Sequence, residues 1–160
     1  MNNIHIDTVF MTERKLLCAR HIGPYQGIGA AFEELERELS RLGLRAEAML
    51  AVYHDNPATV SQDSLRSDAA AQIADNDLIT DTMLKPFTIG AGSFARWTHK
   101  GPYKDLHNTW QAGYKAMADL GLQANGVCYE AYVNDPCNTE PHLLITEIYQ
   151  QLALHEPGGC

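Results

Sequence analysis

The sequence predicts an α+β domain made of two tandem βαββ units, with two helices on a largely antiparallel sheet. The first observation is a repeated turn: His21-Ile22-Gly23-Pro24-Tyr25 returns as His99-Lys100-Gly101-Pro102-Tyr103, shifted by 78 residues. The same shift carries Phe32 onto Trp110, Leu39 onto Met117 and Leu42-Gly43-Leu44 onto Leu120-Gly121-Leu122. A shift of 79 carries Tyr53 onto Tyr132 and Asn56-Pro57 onto Asp135-Pro136. Two such units, related by pseudo-two-fold symmetry, would join their sheets edge to edge around a central cleft, an ordinary place for a small-molecule site. The repeats span about 4–74 and 83–152 of a single domain, 1–153, and 154–160 reads as a disordered tail.

Each element follows from local pattern. Ile4 to Phe10 and Arg14 to His21 read as extended segments, the second ended by Gly23-Pro24, where proline fixes φ and removes a donor. Ile28, Phe32, Leu35, Leu39 and Leu42 recur at three- and four-residue steps, one apolar stripe of an amphipathic helix. Gly43 then stands where a left-handed C-terminal cap wants glycine. Met49 to His54 is a strand stopped by Asp55-Asn56-Pro57. Residues 58 to 65 form a polar loop. Arg66 to Ala74 is ambiguous by periodicity, and the repeat makes it a strand. Asp75 to Lys85 is the polar connection between units, and Phe87 to Gly92 is expected to bend the chain. Ser93 to His99 is a strand with Phe94, Arg96 and Thr98 on one side and Ala95, Trp97 and His99 on the other. Leu106, Trp110, Tyr114, Met117 and Leu120 draw a second helix closed by Gly121. Val127 to Val133 and Leu143 to Leu152 are the last strands.

The bulk numbers exclude several classes. With 160 residues the chain can bury a full core. No stretch of about 20 apolar residues is present to span a membrane. The first residues lack the basic end and apolar run of a signal peptide, so a cytoplasmic location is expected. The net charge of −8 and the scattered basic residues argue against direct nucleic-acid binding, which gathers Lys and Arg on one face. An acidic surface suits a cationic ligand or a basic protein partner. Cys18, Cys128, Cys137 and Cys160 show no paired ligand spacing, so reduced thiols and no metal are expected. No nucleophile or nucleotide-binding motif is present, and no cofactor is expected.

The chemistry rests on acids and aromatics set in apolar strands. Glu147 lies mid-strand in Leu143-Leu144-Ile145-Thr146-Glu147-Ile148-Tyr149, where a carboxylate must reach water, find a partner or lose its charge. An edge strand with Glu147 toward water is the bland reading; a cavity-lining glutamate is the functional one. A shift of 79 places it on Asp68, so both units present a carboxylate from one place. Glu130 shares strand parity with Cys128 and Tyr132. Tyr132 and its counterpart Tyr53 end their strands, where a phenol can be half buried and still hydrogen-bonded. Trp97 and Trp110 are core residues by default. His21 and His99 recur at one turn, which points to a shared structural hydrogen bond.

Taken together, His-x-Gly-Pro-Tyr, Ala51-Val52-Tyr53-His54-Asp55-Asn56-Pro57, Leu65-Arg66-Ser67-Asp68, Tyr129-Glu130-Ala131-Tyr132-Val133-Asn134 and Thr146-Glu147-Ile148-Tyr149 resemble the GyrI-like small-molecule-binding domain family. That family includes the DNA gyrase inhibitory proteins and the effector domains of AraC- and MerR-type regulators. The resemblance implies a duplicated βαββ fold with a central cleft. It also implies a stand-alone binder of lipophilic or cationic drugs or toxins, with an acidic residue of the last strand, matched by Glu147, facing the cleft. The ligand-binding candidates are then Glu147, Tyr132, Trp97, Tyr53, Asp68, Trp110 and Glu130, and DNA gyrase is a candidate partner. The alternative implied is hydrolysis of reactive cyclopropane-type toxins, with Glu147 as the candidate catalytic group.

Overall fold

The computed structural model describes residues 4–74, 79 and 81–153. In chain order its elements are β1 (Asp7–Met11), β2 (Arg14–Ile22), α1 (Gly29–Leu42), β3 (Ala48–Tyr53) and β4 (Arg66–Gln72). There follow β5 (Lys85–Ile89), β6 (Gly92–Lys100), α2 (Leu106–Asp119), β7 (Ala124–Tyr132) and β8 (Ile145–Leu152). They divide into two compact units, residues 13–90 and residues 1–12 with 91–160. In the first, the strands lie in the order β3-β4-β2-β5 with every pairing antiparallel; in the second the order is β1-β6-β8-β7, again antiparallel. One helix covers one face of each sheet, so the chain has the expected α+β class. No helix among the described residues is long and apolar enough to cross a membrane.

Both helices end as their sequences dictate. Gly43 adopts φ 67° and Gly121 φ 72°, a left-handed turn that costs glycine little. The next amides reach back to orphaned carbonyls, Leu44 N–H to Leu39 O at 2.9 Å and Leu122 N–H to Met117 O at 2.9 Å. Under α1, Leu35 is fully buried above Ala19 and Ala69. Under α2 the sizes are exchanged, because Trp97 stands where the first unit has Ala19, and Gly113 where it has Leu35. A Cβ on Gly113 would lie 1.9 Å from the Trp97 ring, so only glycine lets the indole fill this helix–sheet gap. The Trp97 Nε1–H donates to Thr109 O at 2.9 Å, which satisfies its one polar atom.

The repeated turn is held by its histidine in both units. His21 Nε2–H donates to Pro24 O at 2.8 Å, and His99 Nε2–H donates to Pro102 O at 3.0 Å. Two expectations need correction. Phe87 to Gly92, expected to bend the chain, contributes Phe87 to Ile89 to β5, and the turn is left to Gly90 and Ala91. Pro86 disguises this strand in the sequence; it is tolerated because β5 is an edge, paired only with β2 within its sheet. Of the expected polar connection, residues 75–78 and 80 lie outside the described residues, as does the 154–160 tail. The second correction concerns Glu147: β8 is an interior strand between β6 and β7, so the edge-strand reading fails.

One further feature is invisible to the repeat. The strand that precedes β2 in the chain, β1, pairs instead with β6, Asp7 opposite Arg96 through Met11 opposite Gly92. Likewise β5, which precedes β6, pairs with β2. Each unit is therefore completed by the strand that leads into the other.

Candidate functional site

Strand parity decides which side chains α2 covers. Across β7 and β8, Tyr132 stands opposite Thr146, Glu130 opposite Ile148 and Ala131 opposite Glu147. Directly opposite residues share a face, so Glu130, Tyr132 and Thr146 lie on the side of Trp97 and Ile148, which pack under α2. Glu147 lies on the other side.

Glu130 is 4% exposed, a carboxylate almost wholly removed from water. The Trp110 Nε1–H donates to its Oε1 at 2.8 Å and the Tyr132 O–H donates to its Oε2 at 2.9 Å. Neither donor carries a positive charge. Around the carboxylate stands an aromatic cluster. The rings of Trp97, Trp110 and Tyr114 meet one another at 5.7–6.0 Å, and Tyr103 leans on Tyr132 at 5.5 Å. Tyr132 and Trp110 are half-buried and Tyr103 is at the surface, so the cluster has an open side. Burial, and then the charge of Glu130, push the Tyr103 phenol above its ordinary pKa. Burial likewise raises the Tyr114 phenol and lifts the Cys128 thiol to about 11, so both stay protonated at neutral pH. The arrangement sets a carboxylate at the edges of two aromatic rings within a larger aromatic cluster, and carboxylates and ring faces both attract organic cations.

The other candidates do not join this cluster. Glu147 is half-buried on the opposite face, where the Tyr149 phenol donates to it at 3.1 Å. The Tyr149 phenol also hydrogen-bonds Arg96, and Glu147 adds its charge; both hold the Arg96 guanidinium's proton more tightly than usual. Asp68 occupies the register of Glu147 in the first unit, opposite Arg20 and Val52 as Glu147 is opposite Thr98 and Ala131. Its surroundings differ. Arg20 Nε–H donates to Asp68 Oδ1 at 2.7 Å and His54 Nε2 meets Oδ2 at 2.6 Å. Burial raises the Asp68 pKa, but the hydrogen bonds and charges of His54 and Arg20 outweigh it and leave it below its usual value. Tyr53 pairs with Tyr25 at 4.7 Å, the counterpart of Tyr132 with Tyr103, but the position equivalent to Glu130 is the buried Ala51. Among the described residues no three His, Cys, Asp or Glu side chains gather as a metal site.

Sequence reading passed over Tyr103, Tyr114 and Thr146. Tyr103 was signalled by its place in the repeated Gly-Pro-Tyr turn, one helical approach away from Trp110. Tyr114 was read only as part of the apolar stripe.

Comparison with known proteins agrees with this architecture. The model of the GyrI-like small molecule binding domain matches residues 5–153. The chain belongs to the GyrI-like family. Among relatives of this GyrI-like domain, the DNA gyrase inhibitor of Edwardsiella ictaluri is 31% identical over 138 residues, 82% of this chain and 88% of that one. The EcmrR C-terminal domain superposes with a TM-score of 0.80 at 18% identity, covering 94% of this chain and 98% of that one. The structure of SAV2435 bound to tetraphenylphosphonium gives 0.69 at 11% identity, over 93% and 94% of the two chains. At these identities the structural neighbours establish the GyrI-like fold.

Proposed function

We propose that this domain binds lipophilic organic cations, with Glu130 as the charged anchor beside the rings of Trp110, Tyr132 and Tyr103. The observation that carries the reading is a buried carboxylate hydrogen-bonded by an indole and a phenol inside an aromatic cluster. A cation entering there would gain Coulomb attraction in a poorly solvated setting and roughly 0.5–2 kcal/mol per ring face. The family description and a neighbour that holds tetraphenylphosphonium support the ligand class. Glu147 is the weaker anchor, because Arg96 already answers its charge.

Both tryptophans of the chain stand in this cluster, so intrinsic fluorescence reports on it directly. Titration with tetraphenylphosphonium is expected to quench that fluorescence. Glu130→Gln should weaken binding at least tenfold, about 1.4 kcal/mol, while Glu147→Gln stays within about twofold. Loss in Glu147→Gln with Glu130→Gln unaffected would return the site to the other face.

A second reading, inhibition of DNA gyrase, is supported by the name of the Edwardsiella relative and by the charge of −8, suited to a basic protein surface. It predicts that purified protein slows gyrase supercoiling of relaxed plasmid and that the effect fades as salt screens the charges. Unchanged supercoiling at excess protein at low ionic strength removes this reading.

A further inference from the structure

Thr146 is fully buried, and its Oγ1 has no hydrogen-bond partner. A hydroxyl shut away from water without a partner costs about 1–3 kcal/mol, so proteins seldom keep one. Its position explains where a partner would come from. Thr146 stands opposite Tyr132 on β7 and opposite His99 on β6. The Tyr132 phenol is committed to Glu130, and the His99 ring turns away, Nε2 to Pro102 O and Nδ1 to Thr109 Oγ1 at 2.6 Å. Glu130 is the diagonal neighbour of Thr146 on the same face. Diagonal residues on adjacent strands lie about 7–8 Å apart between Cα atoms, and less at the side chains. The floor under α2 thus holds a carboxylate and, a short step away, a hydroxyl with its hydrogen-bonding capacity unused.

We infer that the Glu130 site is built for a protonated lipophilic amine bearing a second hydrogen-bonding group a few bonds from its nitrogen, with Glu130 taking the charge and Thr146 the second group. The inference rests on the reading of Glu130 as the anchor. A hydroxyl can donate or accept, so Thr146 serves an alcohol as well as an ether or amide oxygen. A cation such as tetraphenylphosphonium engages Glu130 and the rings alone. The first unit supplies an internal control: its equivalent hydroxyl, Ser67, is also buried without a partner, but Ala51 replaces the carboxylate beside it.

The test compares three probes by tryptophan fluorescence: propranolol, an aryloxy amine with a hydroxyl two carbons from nitrogen; its deoxy analogue; and tetraphenylphosphonium. Wild type should prefer propranolol to the deoxy analogue by about five- to tenfold, the size of one buried hydrogen bond. Thr146→Val should abolish that preference and leave tetraphenylphosphonium unchanged, Thr146→Ser should retain it, and Ser67→Ala should change neither. No preference in wild type, or equal loss of all three probes in Thr146→Val, overturns the inference while Glu130 stands. If instead Glu130→Gln binds all three as wild type does, the anchor itself is wrong and this inference falls with it.

Discussion

Asp68 and Glu130 are both within a few percent of complete burial, and they solve the problem of a carboxylate in an apolar strand in opposite ways. Asp68 carries its own cation, Arg20. Arg20 and His54 bond both its oxygens, so the charge is matched inside the unit. Glu130 accepts from an indole and a phenol, two neutral donors that orient it. The difference has a measurable consequence for Asp68. Its native pKa is depressed below the unfolded value of about 3.9, so the pair contributes fully above that pH. The contribution is lost as pH falls through the native pKa, because the unfolded chain then binds the proton first. Since Arg20 is nearly half exposed, the ion pair is partly screened. Urea unfolding near pH 6 should show Asp68→Asn destabilised by about 1–3 kcal/mol, and the gap should narrow toward pH 3. A gap that stays constant with pH would mean that the charge contributes nothing.

At the scale of helix on sheet, the two units pack the same geometry with sizes reversed: Ala19 beneath Leu35 in one, Trp97 beneath Gly113 in the other. Neither partner is replaceable alone. Gly113→Ala gains nearly 1 kcal/mol of helix propensity but drives a methyl into the indole, and overpacking of that kind costs about 1–3 kcal/mol. Gly113→Leu should be worse still, and Trp97→Ala should leave a cavity worth about 3–5 kcal/mol. Combining Trp97→Ala with Gly113→Leu rebuilds the arrangement of the first unit. Chemical denaturation should therefore find the double variant more stable than the sum of the two single losses, by at least about 1 kcal/mol of coupling. Additive losses would show that the exchange of sizes is incidental. The helices, their glycine caps and the histidine-held turns were legible because each is written in neighbouring residues. β5 was not, because Pro86 mimics a break. The site was legible only in part. Glu130 and Trp110 were among the candidates, but one-residue parity on β7 and β8 decides that they share a face with Tyr132 and Thr146 and not with Glu147. That parity acquires meaning only when the register between the two strands is known.

Across the whole molecule, the exchange of β1 and β5 sets the range over which the chain must find itself. Residues 13–90 are continuous, and every strand in that unit pairs within 75 residues of its partner, the longest reach being Arg14 to Ile89. The other unit needs Asp7 beside Arg96, 89 residues away. During synthesis β1 is made before the continuous unit but stays without its neighbour until β6 has been translated, by which time that unit's strands have all been made. At about 5–20 residues per second, β1 waits several seconds as an unpaired strand that carries Val9, Phe10 and Met11 in a row. Its brevity, five residues, and the charges of Asp7 and, just beyond its end, Glu13 are features that disfavour pairing of such an edge with another chain.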